Sequence, residues 1–159
     1  MNRRTIIAIA AVIVLGVGWY LFRPERLFVN AKVNENFPTA STATGQVTLL
    51  QGNFHDGAHK SSGTATIYRL SDGKRILRLT NFETSNGPDV RIYLVAADDA
   101  KDSETVKRAG FVELGALKGN IGDQNYEIPA GTDLNKYHAV SIYCERFNAN
   151  FGTAPLEKF

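Results

Sequence analysis

From Gly45 onward the chain is cut by a turn signal about every ten residues, and this rhythm limits its fold more than any other feature. "QVTLLQGNF" alternates at Val47 and Leu49. "GTATIYRL", residues 63–70, is rich in β-branched side chains and runs into "SDGK", where Asp72-Gly73 suits a tight hairpin. "RILRLTNF" follows with Ile76, Leu77 and Leu79. "NGPD", residues 86–89, reads as a second tight connection, because Pro88 fixes φ and Gly87 tolerates conformations closed to other residues. "VRIYLVAA" is a well-buried strand, and "FVELGAL", "QNYEI" and "HAVSIYC" complete the series. Only "DDAKDSETVKRAG" breaks it, as a polar insertion with a short helix. Strands at this spacing predict an all-β sandwich, Greek-key or jelly-roll-like, over residues 45–159. A segment of that size can bury a core without a disulfide staple. There is no internal repeat.

The N-terminus is of a different kind. Arg3 and Arg4 precede "TIIAIAAVIVLGVGWYLF", residues 5–22, which carries no charge. As a helix the run reaches about 27 Å, close to the thickness of a hydrocarbon core. Trp19 and Tyr20 lie near one end, where interfacial aromatics sit, and Arg23 stops the run. A cleavable signal peptide would use Gly16 and Gly18 and leave a mature chain beginning "WYLF", a poor start for a soluble protein. The favoured reading is an uncleaved signal anchor over residues 1–22, spanning the bilayer once through residues 5–22. The short basic N-tail places the body outside the cytoplasm. Residues 23–44, with "NFPTASTATG", are small, polar and aperiodic, and read as a stalk linker.

Charge excludes one class of partner. The formal net charge of the chain is +2, but residues 1–32 hold five basic side chains against one acid, leaving 13 basic and 15 acidic residues beyond. A body without a run of Lys or Arg lacks the clustered basic face that nucleic-acid backbones require.

The motifs of common enzymes are missing. His55 and His59 in "NFHDGAHKSSG" stand four apart, but Gly57 and Gly63 indicate a loop and no third ligand is near, so both read as surface histidines. His138, at a strand start, reads as structural. "DDAKDSE", residues 98–104, lacks the glycine and ligand spacing of a calcium loop and reads as a solvated turn. "GALKGNIG" lacks the ending of a phosphate loop, so its glycines serve a β-connection. No G-x-S-x-G or HExxH motif is present. Nothing in these motifs points to a hydrolase.

Cys144 is the only cysteine. It can form neither an internal disulfide nor a dithiol couple. In "HAVSIYC", Val140, Ile142 and Cys144 share one side of a strand, while Ser141 and Tyr143 face the other. Either the thiol is a small buried hydrophobe, or it is a thiolate ligand or redox group, which Arg146 would favour and Glu145 oppose. Without CxxCH, covalent c-type haem is excluded by motif. Non-covalent haem with one cysteine sulfur as axial ligand stays open beside the packing reading.

Four blocks in order carry a family resemblance. "GNFHDGAHKSSGTATIY" includes Gly52, Phe54, His59, Gly63 and Ile67, and "LRLTNFETSNGPDVRIYLVA" includes Asn81, Phe82, Gly87, Pro88 and Asp89. "LGALKGNIGDQNYEIP" includes Leu117, Lys118, Gly119, Gly122, Gln124, Tyr126 and Pro129. "YHAVSIYCERFNANFGTAPL" includes Val140, Ile142, Cys144, Phe147, Phe151, Gly152, Ala154 and Leu156. With these the body resembles the electron-transfer DM-thirteen domain family, although Tyr143 stands where that family commonly has tryptophan. The resemblance implies an all-β fold and an extracytoplasmic redox role in which the matching Cys144 is the reactive or haem-ligating group. For such a haem, Cys144 would be the metal ligand and Tyr126, Phe147 and Phe151 the wall. Tyr143 is a wall candidate only if a bulge intervenes, and His59 or Tyr126 would supply a stacking or hydrogen-bonding partner. Two other expectations stand beside it. One is a non-enzymatic cell-surface binding or adhesion module in which Cys144 is core packing. The other is a thiol-based redox sensor. Besides the lipid bilayer, the expected partner is an unidentified redox or surface protein.

Overall fold

The computed structural model describes residues 2–22, 29–38 and 46–159. The charge-free run forms helix α1 (Arg3–Phe22), a single helix long and apolar enough to cross a membrane among the described residues. The body contains ten strands: β1 (Val47–Asn53), β2 (His55–Asp56), β3 (Ser61–Arg69), β4 (Arg75–Thr84), β5 (Val90–Val95), β6 (Phe111–Ala116), β7 (Gln124–Ile128), β8 (Ala139–Cys144), β9 (Ala149–Pro155) and β10 (Glu157–Lys158). They form two antiparallel five-stranded sheets, ordered β10-β1-β3-β4-β7 and β2-β9-β8-β5-β6. The expected sandwich is therefore the observed fold.

The alternation read in the sequence explains the packing. Ala65, Ile67, Leu77 and Leu79 of the first sheet face Ile92, Leu94, Val140, Ile142 and Ala154 of the second, all fully buried. Beta-branched and aromatic side chains suit such a pleated, enclosed surface. The β3–β4 hairpin turns at Asp72-Gly73, with Gly73 at φ 85° and the Asp72 carboxylate accepting from Lys74 N at 3.0 Å. The second tight connection, before β5, works differently from expectation. Gly87 does not have positive φ. A Cβ there would lie 2.6 Å from Val90 Cγ2 and 3.1 Å from Phe151 Cζ, so this position is small to make room for Val90 and the Phe151 ring.

Strand β8 is buried along its whole length because both faces are covered. Val140, Ile142 and Cys144 point between the sheets. Ala139 and Tyr143 point outward, beneath helix α2 (Ser103–Ala109) and its preceding loop. This is the polar insertion, and the Asp102 side chain caps its helix by accepting from Thr105 N at 2.7 Å. The loop is pinned from below: Asn150 donates to Thr153 Oγ1 at 2.9 Å, and Thr153 Oγ1 donates to the Ala100 carbonyl at 2.6 Å. Its carboxylates are more than a solvated turn. His55 Nε2 meets Asp99 Oδ1 at 2.9 Å and His138 Nδ1 meets Asp98 Oδ1 at 2.9 Å. His55 itself lies in β2, so its glycine-bearing surroundings are partly strand.

Of the segment read as a linker over residues 23–44, residues 29–38 run as a strap along the connection between β6 and β7. Val33 N donates to the Ile121 carbonyl and Glu35 N to the Asp123 carbonyl, each at 2.9 Å, and Ile121 N donates to the Ala31 carbonyl at 3.3 Å. The Glu35 carboxylate accepts from Lys118 Nζ at 2.7 Å and from Asn125 N at 2.7 Å. Phe37 meets Tyr68 edge-on at 5.0 Å. The remainder of that segment lies outside the described residues.

Candidate functional site

An open cleft of about 380 Å³ lies at one end of the sandwich. Its walls are the connections 86–90 and 116–120, and Val29 and Ala31 of the strap close one side. The wall is largely polar. Asn120, 4% exposed, donates to the Asn30 side-chain oxygen at 3.0 Å and to the Thr84 carbonyl at 3.0 Å, and accepts from Ala31 N at 2.8 Å. Lys118 and Asp89, the charged groups on the wall, are both neutralised. Lys118 pairs with Glu35, and Asp89 pairs with Arg91 at 2.9 Å. Hydrogen bonds that the Arg91 guanidinium donates to Asp89 first and then to Glu113 hold it firmly in its charged form.

Val90 links this cleft to the lone cysteine. It lines the cleft and is the cross-strand partner of Cys144. Cys144 is 0% exposed and belongs to the apolar cluster that also contains Tyr126 and Phe151. Tyr126 donates its hydroxyl proton to Gln124 Oε1 at 2.8 Å, accepts from Lys118 N at 3.3 Å, and carries the Lys118 ammonium 5.0 Å from its ring centroid. Burial pushes its phenol above the usual range. His59 is exposed and covers Phe151, with ring centroids 4.0 Å apart. The structure thus brings Cys144, Tyr126 and Phe151 into one core, with His59 capping it from outside.

It does not bring Phe147 there. That side chain is 59% exposed, in the turn between β8 and β9. Tyr143 stays on the outer face of β8 despite the register shift between Ile142 and Tyr143 against β9. The shift offsets the pairing without turning the ring inward.

Haem ligation through Cys144 would set a geometric requirement. An axial thiolate has to face a slot that admits the edge of the macrocycle. Cys144 is instead enclosed between Val90 and Ala149 within a closed core, and the neighbouring cleft presents amides and paired charges beside Val29, Pro88, Val90 and Leu117. In this arrangement the sulfur does not line the cleft. Among the described residues, no group of three or more His, Cys, Asp or Glu side chains is placed to hold a metal ion.

Sequence reasoning missed the outer face of β8 and β5. There Tyr93 and Tyr143 stack at 5.3 Å, and Phe111 of β6 stacks on Tyr93 at 4.1 Å with 8° between ring planes. The Tyr93 hydroxyl donates to Glu145, and the Tyr143 hydroxyl to Asn148. The signal was the aromatic at alternate positions of two strands whose other face is also apolar.

Fold and site together define a small all-β sandwich behind an apolar helix, with a buried lone thiol next to an open polar cleft. Residues 53–156 match the family described as Electron transfer DM13, and the chain belongs to that family. No curated protein and no solved structure matches the chain.

Proposed function

We propose that the chain is an electron-transfer domain tethered to a membrane by residues 5–22, with its body outside the cytoplasm. The observation that carries this reading is the Electron transfer DM13 match over the sandwich that follows an apolar N-terminal helix. The short basic N-tail favours that orientation, although Arg3 and Arg4 are nearly balanced by Arg23 and Arg26 beyond the run. A single thiol, unable to pair within the chain, suits a redox setting only when it is sequestered or used.

Haem held through Cys144 is the finer form of this reading. Its support is the cluster of Cys144 with Tyr126 and Phe151, capped by His59. Against it stands the closed packing around the sulfur, so no chemical step is routed through haem here. A second reading, a cell-surface binding module with Cys144 as packing, is favoured by that same enclosure beside an open polar cleft.

Haem titration of the detergent-solubilised chain separates the two. A saturable Soret band that Cys144→Ala shifts or abolishes supports thiolate ligation. No band, or a band unchanged in the variant with its strand-dominated circular dichroism intact, assigns Cys144 to the core and supports the binding module.

A further inference from the structure

The outer face of the second sheet holds groups that neither the cleft nor the thiol uses. Of the buried tyrosines, Tyr126 donates to the neutral side chain of Gln124 and Tyr143 to that of Asn148. Tyr93 alone among them donates to a carboxylate, Glu145. Glu145 is exposed in the turn after β8, so a proton placed there exchanges with water. The Tyr93 ring is 1% exposed and lies between two other rings: Tyr143 at 5.3 Å and Phe111 at 4.1 Å. Phe111, 39% exposed on the edge strand β6, carries this stack to the surface. At its inner end Tyr143 is the chain neighbour of Cys144, whose side chain points into the core on the opposite face.

We propose that Tyr93 is a site of reversible, proton-coupled one-electron oxidation, with Glu145 as its proton acceptor, Tyr143 as its stacked neighbour, and Phe111 as the exposed end of the stack, from which the electron passes to the oxidised metal centre of a redox partner. The inference rests on the electron-transfer reading and locates where the electron leaves the domain. In the forward step the Tyr93 O–H bond breaks and its proton forms an O–H bond on the Glu145 carboxylate. One electron passes to the partner's metal centre, which is reduced by one electron. The phenol becomes a neutral tyrosyl radical. Return of one electron and of the proton restores both side chains.

A phenol that loses an electron without losing its proton becomes a strongly acidic radical cation, so a carboxylate already accepting its hydrogen bond lowers the barrier. Burial first, and then the bond to Glu145, push the Tyr93 phenol above its usual range, so ionisation does not precede oxidation. The other charged groups facing it are Glu113 of β6 and Arg91 of β5, which pair with each other and leave Glu145 as the acceptor. Helix α2, which covers this face, turns Glu104, Lys107 and Arg108 to solvent.

Flash photo-oxidation of the detergent-solubilised full chain by ruthenium tris-bipyridine, with a sacrificial acceptor, tests this without haem or partner. Its outcome is therefore independent of the haem titration. A tyrosyl radical should appear by optical absorption and electron paramagnetic resonance, persist in Tyr126→Phe, and vanish in Tyr93→Phe. Glu145→Gln, on an exposed turn, should slow radical formation by roughly tenfold or more at neutral pH. Equal radical yield in Tyr93→Phe, or an unchanged rate of radical formation in Glu145→Gln, overturns the proposal. Glu145→Gln alone decides if Tyr93→Phe does not fold.

Discussion

Gly122 is the position on which the strap depends, and Gly122→Ala should release it. Gly122 has φ +101°, a conformation that side-chain-bearing residues avoid. An added Cβ would lie 2.0 Å from the Val33 carbonyl oxygen and 2.6 Å from Asn34 Oδ1. Val33 O is backbone and has no rotamer by which to escape, and Gly122 N is itself held by the Phe82 carbonyl at 2.7 Å. The strap therefore has to move. It would give up its backbone bonds from Val33 N, Glu35 N and Ile121 N. At about 1 kcal/mol net for each, the loss is about 3 kcal/mol. Since about 1.4 kcal/mol is a factor of ten, exchange of the Val33 and Glu35 amides should accelerate about a hundredfold.

Native-state hydrogen exchange reads this directly, with the β8 amides as the internal reference. They lie within a strand buried on both faces and should keep their protection. If Val33 and Glu35 remain as protected in Gly122→Ala as in the wild type, the strap does not rest on that close approach and the argument fails. Global loss of protection, β8 included, would refute it equally, by making the strap part of the core's cooperative unit.

Acid should loosen the same strap. Burial opposes the Glu35 charge, but Lys118, the Asn125 amide and Arg78 outweigh it and lower its pKa below the ordinary 4.5. The contribution is complete above that value and disappears as pH falls through the lowered one, which pH-dependent exchange of the Glu35 amide would follow. His55 runs the other way. Burial lowers its pKa, but the Asp56 carbonyl and the Asp99 carboxylate outweigh this and raise it above 6.5. Its tie to the α2 loop is therefore complete below that value and lost as pH rises through the raised one. Asp99→Asn should lower the His55 midpoint in an NMR titration. Cys144→Ser puts a hydroxyl where the side chain is wholly enclosed by apolar neighbours and should cost about 1–3 kcal/mol in urea unfolding. No loss would show that the site offers polar partners. The full chain should stay with membranes through carbonate extraction, and a mature chain beginning at Trp19 would refute the anchor.

The legible part of this fold was what depends on local pattern. Period-two alternation located the strands, and Asp72-Gly73 located a hairpin, because both signals reside in a few consecutive residues. The same alternation separated Cys144 from Tyr143 before any coordinates did, since successive side chains on β8 take opposite faces. What escaped was set by contacts distant in sequence. The strap has no periodicity because its bonds are made by backbone groups to residues 121–123, with side chains from Asn30 to Phe37 added one at a time. The tie of His55 to Asp99 spans 44 positions. Phe147 looked like a wall for Cys144 because it lies three residues on, but a turn begins at Glu145 and carries the ring into solvent. Proximity in sequence held for Phe151 only because β9 returns beside β8 and puts it back between the sheets.

In a chain anchored through α1, the strap would also limit where the cleft can work. Val29 lines the cleft, and seven peptide steps separate it from Phe22 at the end of α1. Fully extended, that is at most about 25 Å. With α1 in a bilayer, this side of the cleft stays within that distance of the helix end for as long as residues 31–35 hold their bonds to 121–123. A partner that uses the cleft then has to be one that works close to the membrane surface. Release of the strap, by Gly122→Ala or by acid at Glu35, would remove Val29 and Ala31 from the cleft wall and lengthen the tether in the same event. For a chain anchored through α1, reach from the membrane and the shape of the cleft would therefore be coupled.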